Sequence, residues 1–77
     1  MRPIRDAYQQ LCDRWDSSIV SRGQIEKFTG GAITSKHIAN LDSLGEGPEG
    51  RMRVGRKVVY RVDKFIEWLE SRTQELV

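Results

Sequence analysis

The stretch Arg51-Met-Arg-Val-Gly-Arg-Lys-Val-Val-Tyr-Arg61 limits the possible folds more than any other part of this chain. Two β-prone runs flank a glycine, the pattern of a β-hairpin. The run carries five basic residues and no acidic one. Register follows the face that is buried. A three-residue loop, Gly55-Arg56-Lys57, would set Val54 against Val58 and Met52 against Tyr60. Those four would then share an inward face, with Arg51, Arg53, Val59 and Arg61 on the other. A two-residue loop would put Val54 beside Lys57 and mix the faces, so the three-residue loop is expected, with Arg56 and Lys57 at its tip.

Composition narrows what surrounds the hairpin. Seventy-seven residues imply one domain, 1–77, with a small core. The net charge is only +2. The remaining eight basic and eleven acidic residues amount to −3, so the excess positive charge lies on residues 51–61. Charge focused in this way lets a nearly neutral domain bind a polyanion. The plainer reading is a solvated edge strand whose cations prevent aggregation. One Cys and one His argue against an internal disulfide and a single-chain zinc site. No metal or other cofactor is expected, and no small-molecule ligand is evident. With no membrane-length apolar run and no apolar signal-peptide core, a reducing cytoplasm is the expected setting.

Four helices are expected around the hairpin. In 3–15, Ile4, Ala7, Tyr8, Leu11, Cys12 and Trp15 fall on one stripe, with Pro3 in the first turn. This helix is expected to pack on the core or on a second copy. Ser21 and Gln24 have capping-box spacing and open a short helix with Ile25 and Phe28 inward, stopped by Thr29-Gly30-Gly31. Thr34 and Ser35 are N-cap candidates for a third helix, about 34–44. Ile38, Leu41 and Leu44 are assigned to its buried side, with His37 partly packed and Gly45 ending it. Its other side, Ser35, Lys36, Ala39, Asn40 and Ser43, is small or polar, as suits a helix that enters a groove. Asp63 is expected to cap a final helix bearing Phe65, Ile66, Trp68 and Leu69.

The order helix, glycine turn, helix, loop, basic hairpin, helix resembles the excisionase-like winged helix-turn-helix family, related to the mercury-resistance-regulator superfamily. The resemblance covers about residues 18–71. It is carried by Ile19-Val20-Ser21, Thr34-Ser35-Lys36, Gly45-Glu-Gly-Pro48, Arg53-Val-Gly-Arg-Lys-Val-Val-Tyr60, and Asp63 with Trp68-Leu69. Thr29-Gly30-Gly31-Ala32-Ile33 is looser than the family's turn. Asp42 and Ser43 stand where the family often has a basic residue. The resemblance implies an α+β, mainly α fold: a winged helix-turn-helix with a two-stranded antiparallel wing and an extra N-terminal helix. It also implies a non-catalytic, nucleoid-associated protein of phage or mobile-element type. Such a protein binds duplex DNA to bias recombination toward excision or to control transcription.

On that reading, Lys36 and Asn40 face the major groove, where Asn can pair with adenine and Lys can reach guanine acceptors or a phosphate. For Asn40, a solvated surface role is an equal alternative. Ser35 and Ser43 are weaker contacts. Thr34 and Ser21, with Arg22 beside it, lie at helix N-termini suited to phosphate. Arg56 and Lys57 would touch the backbone or minor groove, with Arg53, Arg51 and Arg61 adding phosphate contacts. Trp15, Phe28, Tyr60, Phe65 and Trp68 read as core. The competing reading is a protein-interaction module whose N-terminal helix docks on another chain, a recombinase or a transcription partner. No nucleophile–base pair and no Lys-Ser/Thr phosphate loop favours an enzyme.

Overall fold

Among the described residues, a three-stranded antiparallel sheet and four α-helices form an α+β arrangement. The computed structural model describes the backbone of residues 3–74 and the side chains of residues 8–74. Helix α1 spans Pro3–Arg14 and strand β1 spans Ile19–Ser21. A 3₁₀ turn, Arg22–Gln24, leads into the single-turn helix α2, Ile25–Phe28. Helix α3 spans Ser35–Ser43, β2 Met52–Val54, β3 Lys57–Arg61 and α4 Val62–Arg72.

The expected two-stranded hairpin is therefore part of a larger sheet, ordered β1-β3-β2. Val20 lies opposite Tyr60, and Val62 N donates to Ser18 O at 2.9 Å, so β1 forms the edge of the sheet opposite β2. A three-residue strand is too short to show the alternation by which strands are read from sequence.

The expected hairpin register is also corrected. Met52 pairs with Val59, Arg53 with Val58 and Val54 with Lys57, leaving the two-residue loop Gly55-Arg56. Gly55 has φ +62°, while Arg56 stays out of the left-handed region. A glycine at the first central position of a two-residue turn matches the strands' twist. Met52 and Val54 are 44% and 62% exposed, whereas Val59 is buried. No layer covers the edge strand β2. Val59 is covered because it lies in the central strand, between Ser21 and Met52.

The core gathers Val20, Ile25, Phe28, Ile38, Tyr60, Val62, Phe65, Ile66 and Leu69. Phe65 is its aromatic hub, with ring centroids 5.7 Å from Phe28, 6.1 Å from Tyr60 and 5.5 Å from Trp68. Trp15 meets Phe28 edge-on at 5.1 Å. Such pairs add about 0.5–1.5 kcal/mol each beyond the area they bury. Tyr8, Leu11, Cys12 and Trp15 pack against this core, and Tyr8 Oη meets Thr73 Oγ1 just beyond α4. The N-terminal helix thus lies on its own chain's α4. The expected apolar positions Ile4 and Ala7 lie outside the described side chains.

Three helix details differ from expectation. Asp63 lies inside the first turn of α4, where Arg61 is the N-cap; its carboxylate accepts from Lys64 N and from Arg61. Leu44, expected on the buried side, is 68% exposed, and His37, expected to be partly packed, is exposed. At 100° per residue, two steps of three from Ile38 carry Leu44 about 120° off the stripe, while Asp42, four residues on, stays within about 40° of it. Asp42 is accordingly buried beside Ile38 and Leu41.

Candidate functional site

The beginning of α3, the 3₁₀ turn and the end of the hairpin border one open cleft. Ser21, Arg22, Gly23, Ser35, Arg56, Lys57 and Val58 line it. Five residues singled out from the sequence thus come together from three separate elements. The local causes are clear. Gln24 Oε1 accepts from Ser21 N and Ser21 Oγ, which fixes the 3₁₀ turn behind β1. Ser35 Oγ donates to Arg22 O at 2.8 Å, pinning the first turn of α3 to that turn. Thr34 is the N-cap of α3, with Oγ1 accepting from His37 N at 3.1 Å. Gly30 and Gly31, at φ +65° and +90°, reverse the chain between α2 and α3.

Helix α3 presents Lys36, His37, Asn40 and Ser43 to solvent, with its C-cap Leu44 exposed beside them. Lys36 and Asn40, four residues apart, lie on one face. Ser43 Oγ donates back to Asn40 O at 2.8 Å and so caps its own helix. The end of α3 is a Schellman turn: Glu46 N donates to Leu41 O at 2.8 Å, Gly45 N donates to Asp42 O at 3.1 Å, and Gly45 has φ +75°.

The cations divide into two classes. Lys36, Arg53, Arg56 and Lys57 are exposed and make no side-chain ion pair or hydrogen bond among the described residues. Arg53 lies opposite Val58 and so shares the cleft side of the hairpin. Arg22, Arg51 and Arg61 already have partners. Arg61, expected to add a phosphate contact, binds Asp63 at 2.7 Å at the far end of β3 and does not line the cleft. Arg22 Nη2 is 2.7 Å from Asp42 Oδ2, and its Nε donates to Tyr60 Oη at 3.0 Å. Arg51 Nη1 lies 3.6 Å from Asp42 Oδ1. The phosphate roles expected of Arg22 and Arg51 therefore meet an internal competitor.

Sequence reasoning missed that competitor. Asp42 is 6% exposed, and Tyr60 Oη donates to its Oδ2. Its Oδ1 is buried and accepts no hydrogen bond from the described residues. A Cβ on Gly47 would fall 1.9 Å from that oxygen, so Gly47 lies close against the carboxylate. The available signal was helical spacing: Asp42 is i+4 from Ile38 and falls on the apolar stripe. Burial, with the hydrogen bond to Asp42, pushes the Tyr60 hydroxyl up to about 12. The hydrogen bond with Tyr60, reinforced by Asp42, raises Arg22 against the opposing effect of desolvation.

No protein-family model, curated protein or solved structure matches the chain. Among the described residues, no three His, Cys, Asp or Glu side chains are grouped to hold a metal ion, and no helix is long and apolar enough to cross a membrane. What the cleft offers is unpaired positive charge on a hairpin beside the amino end of a polar-faced helix.

Proposed function

We propose that this chain is a small duplex-DNA-binding protein of winged helix-turn-helix type, acting as an excisionase-like factor or a transcriptional regulator. Helix α3 is the recognition helix and the β2–β3 hairpin is the wing. The observation that carries the reading is the shared cleft: Arg56 and Lys57 stand beside Ser35, at the start of the helix whose exposed face bears Lys36 and Asn40. A helix in the major groove and a basic arm on the adjoining backbone need this juxtaposition. Lys36 and Asn40 read base edges, while Arg53, Arg56 and Lys57 neutralise phosphates or enter the minor groove. Thr34 and Ser21 keep their caps and contribute their helix-start position.

The alternative, a docking module built on the N-terminal helix, has less support. The described apolar side chains of α1 turn onto α4 of the same chain. Selection of bound sites from random duplexes tests the main reading. Enrichment of a short motif, lost in Lys36→Ala or Asn40→Ala, is the expected result. Failure to enrich any motif overturns sequence-specific binding.

A further inference from the structure

We propose that Asp42 is a specificity-determining residue: by neutralising Arg22 and Arg51 at the base of the hairpin, it holds down indiscriminate attraction to polyanions. The inference rests on the duplex-binding reading above. A carboxylate at this place is not explained by helix physics. Asp42 lies in the last turn of α3, where the macrodipole disfavours negative charge. Nor is a buried ion pair needed for stability, since well-packed apolar residues of similar size serve as well or better. Yet the surroundings are built to accept the charge. Gly47 leaves room for Oδ1, Tyr60 donates to Oδ2, and two guanidinium groups approach from the 3₁₀ turn and from the start of the hairpin.

The effect is a division of labour among cations close together in the chain. Arg51 and Arg53 are two residues apart and both exposed. Arg51 faces Asp42, whereas Arg53 has no acidic partner among the described residues. Arg22 borders the phosphate-suited cleft but has its guanidinium turned to Asp42 and Tyr60. Together, Arg22, Asp42 and Arg51 present one net positive charge in place of two. Sequence-independent affinity scales with the number of phosphates neutralised, so restraining these arginines lowers it while leaving the exposed face of α3 unchanged.

Three variants test this: Asp42→Asn, Arg51→Gln and Arg53→Gln. The amide of Asp42→Asn keeps the shape and can still accept from Arg22 and Tyr60, but it frees the charge. On a random-sequence duplex it should steepen the fall of log K with log salt by about 0.9 or more, one extra phosphate contact's worth. It should also narrow the preference for the selected site. An unchanged or shallower slope in a folded Asp42→Asn protein, with circular dichroism and melting intact, overturns the proposal. If Asp42→Asn does not fold, the arginine pair decides. Arg53→Gln should flatten the slope by about 0.9, and Arg51→Gln by less than half as much; equal shifts overturn the proposal. Heparin serves as a second polyanion. If wild-type protein binds no duplex, the functional reading fails separately, and the order of elution from heparin still tests the restraint of Arg51. There, Arg53→Gln should elute at clearly lower salt and Arg51→Gln near wild type; equal displacement of the two overturns the restraint.

Discussion

The tip and the base of the hairpin use the same residue type in opposite settings. At the tip end, Arg56 in the turn and Lys57, the first residue of β3 and not the loop residue expected of it, are exposed, with no acidic side chain paired to them among the described residues. At the base, Arg51 joins Arg22 and Tyr60 around a buried carboxylate. The tip adds charge to the surface without bearing on the fold, so its cations are free to meet a ligand. The base ties α3, the 3₁₀ turn and the sheet into one unit, and its cations are committed to that task. A count of basic residues along the chain treats the two as equal. Their environments separate them, and that separation yields predictions that can be ranked by their effect on stability.

The largest effect belongs to Asp42→Ala. Removing the carboxylate leaves Arg22 and Tyr60 without their shared acceptor. Breaking a buried pair costs about 3–5 kcal/mol, and the low end, about 3 kcal/mol, applies because the Arg22 side chain is 28% exposed. Urea denaturation should show this as a lower midpoint at an unchanged m-value. A loss below about 1 kcal/mol, the typical net worth of one hydrogen bond, would mean that the base is no more structural than the tip.

Gly47→Ala comes next, at about 1–3 kcal/mol, the usual cost of forcing extra volume into a packed site. The new methyl would meet Asp42 Oδ1, so the two changes must couple. In an Asp42→Ala background the cost of Gly47→Ala should largely vanish, and a double-mutant cycle should give an interaction energy above about 0.5 kcal/mol. Strict additivity would show that the carboxylate is not what Gly47 accommodates.

Tyr60→Phe should cost about 1–2 kcal/mol at neutral pH, because a hydroxyl serving both Asp42 and Arg22 is lost. It also carries a pH signature. The hydroxyl titrates near 10.0 when unfolded and at about 12 in the fold. Below pH 10 both states hold the proton, and the full contribution is present. Between pH 10 and 12 the unfolded state releases it first, so stability falls as pH rises. The difference between wild type and Tyr60→Phe should therefore shrink across that window, and a pH-independent difference would contradict the buried hydroxyl.

How much of this could be read from sequence follows the same division. The tip was legible: a glycine between β-prone runs and a cluster of cations announce an exposed turn. The helices and the aromatic core were legible too, because Phe28, Phe65 and Ile38 follow helical spacing. The register was not. Alternation tells which residues share a face, but not whether anything covers it. Alternation predicts Met52 and Val54 inward, yet both are exposed on the edge strand β2. The base was missed because its members, Arg22, Asp42, Arg51 and Tyr60, are separated in the chain. An aspartate in a helix with one apolar and one polar side is not expected in the core, and only the i+4 relation of Asp42 to Ile38 marks its burial.

The smallest effect on stability should come from the tip. Arg56→Ala with Lys57→Ala removes two side chains that touch no acidic group among the described residues, so the melting curve should stay within about 0.5 kcal/mol of wild type. On duplex DNA the same change should be conspicuous, with the salt slope falling by about 1.8, two phosphate contacts' worth. The contrast with Asp42→Ala is the decisive feature. If the tip variant melts like wild type yet binds DNA as well as wild type at moderate salt, the hairpin is a solvated edge and not a binding arm. If it binds poorly and also melts early, the loss of affinity says nothing about contact. Only an unchanged melting curve together with a flattened salt slope separates charge available for binding from charge committed to the fold.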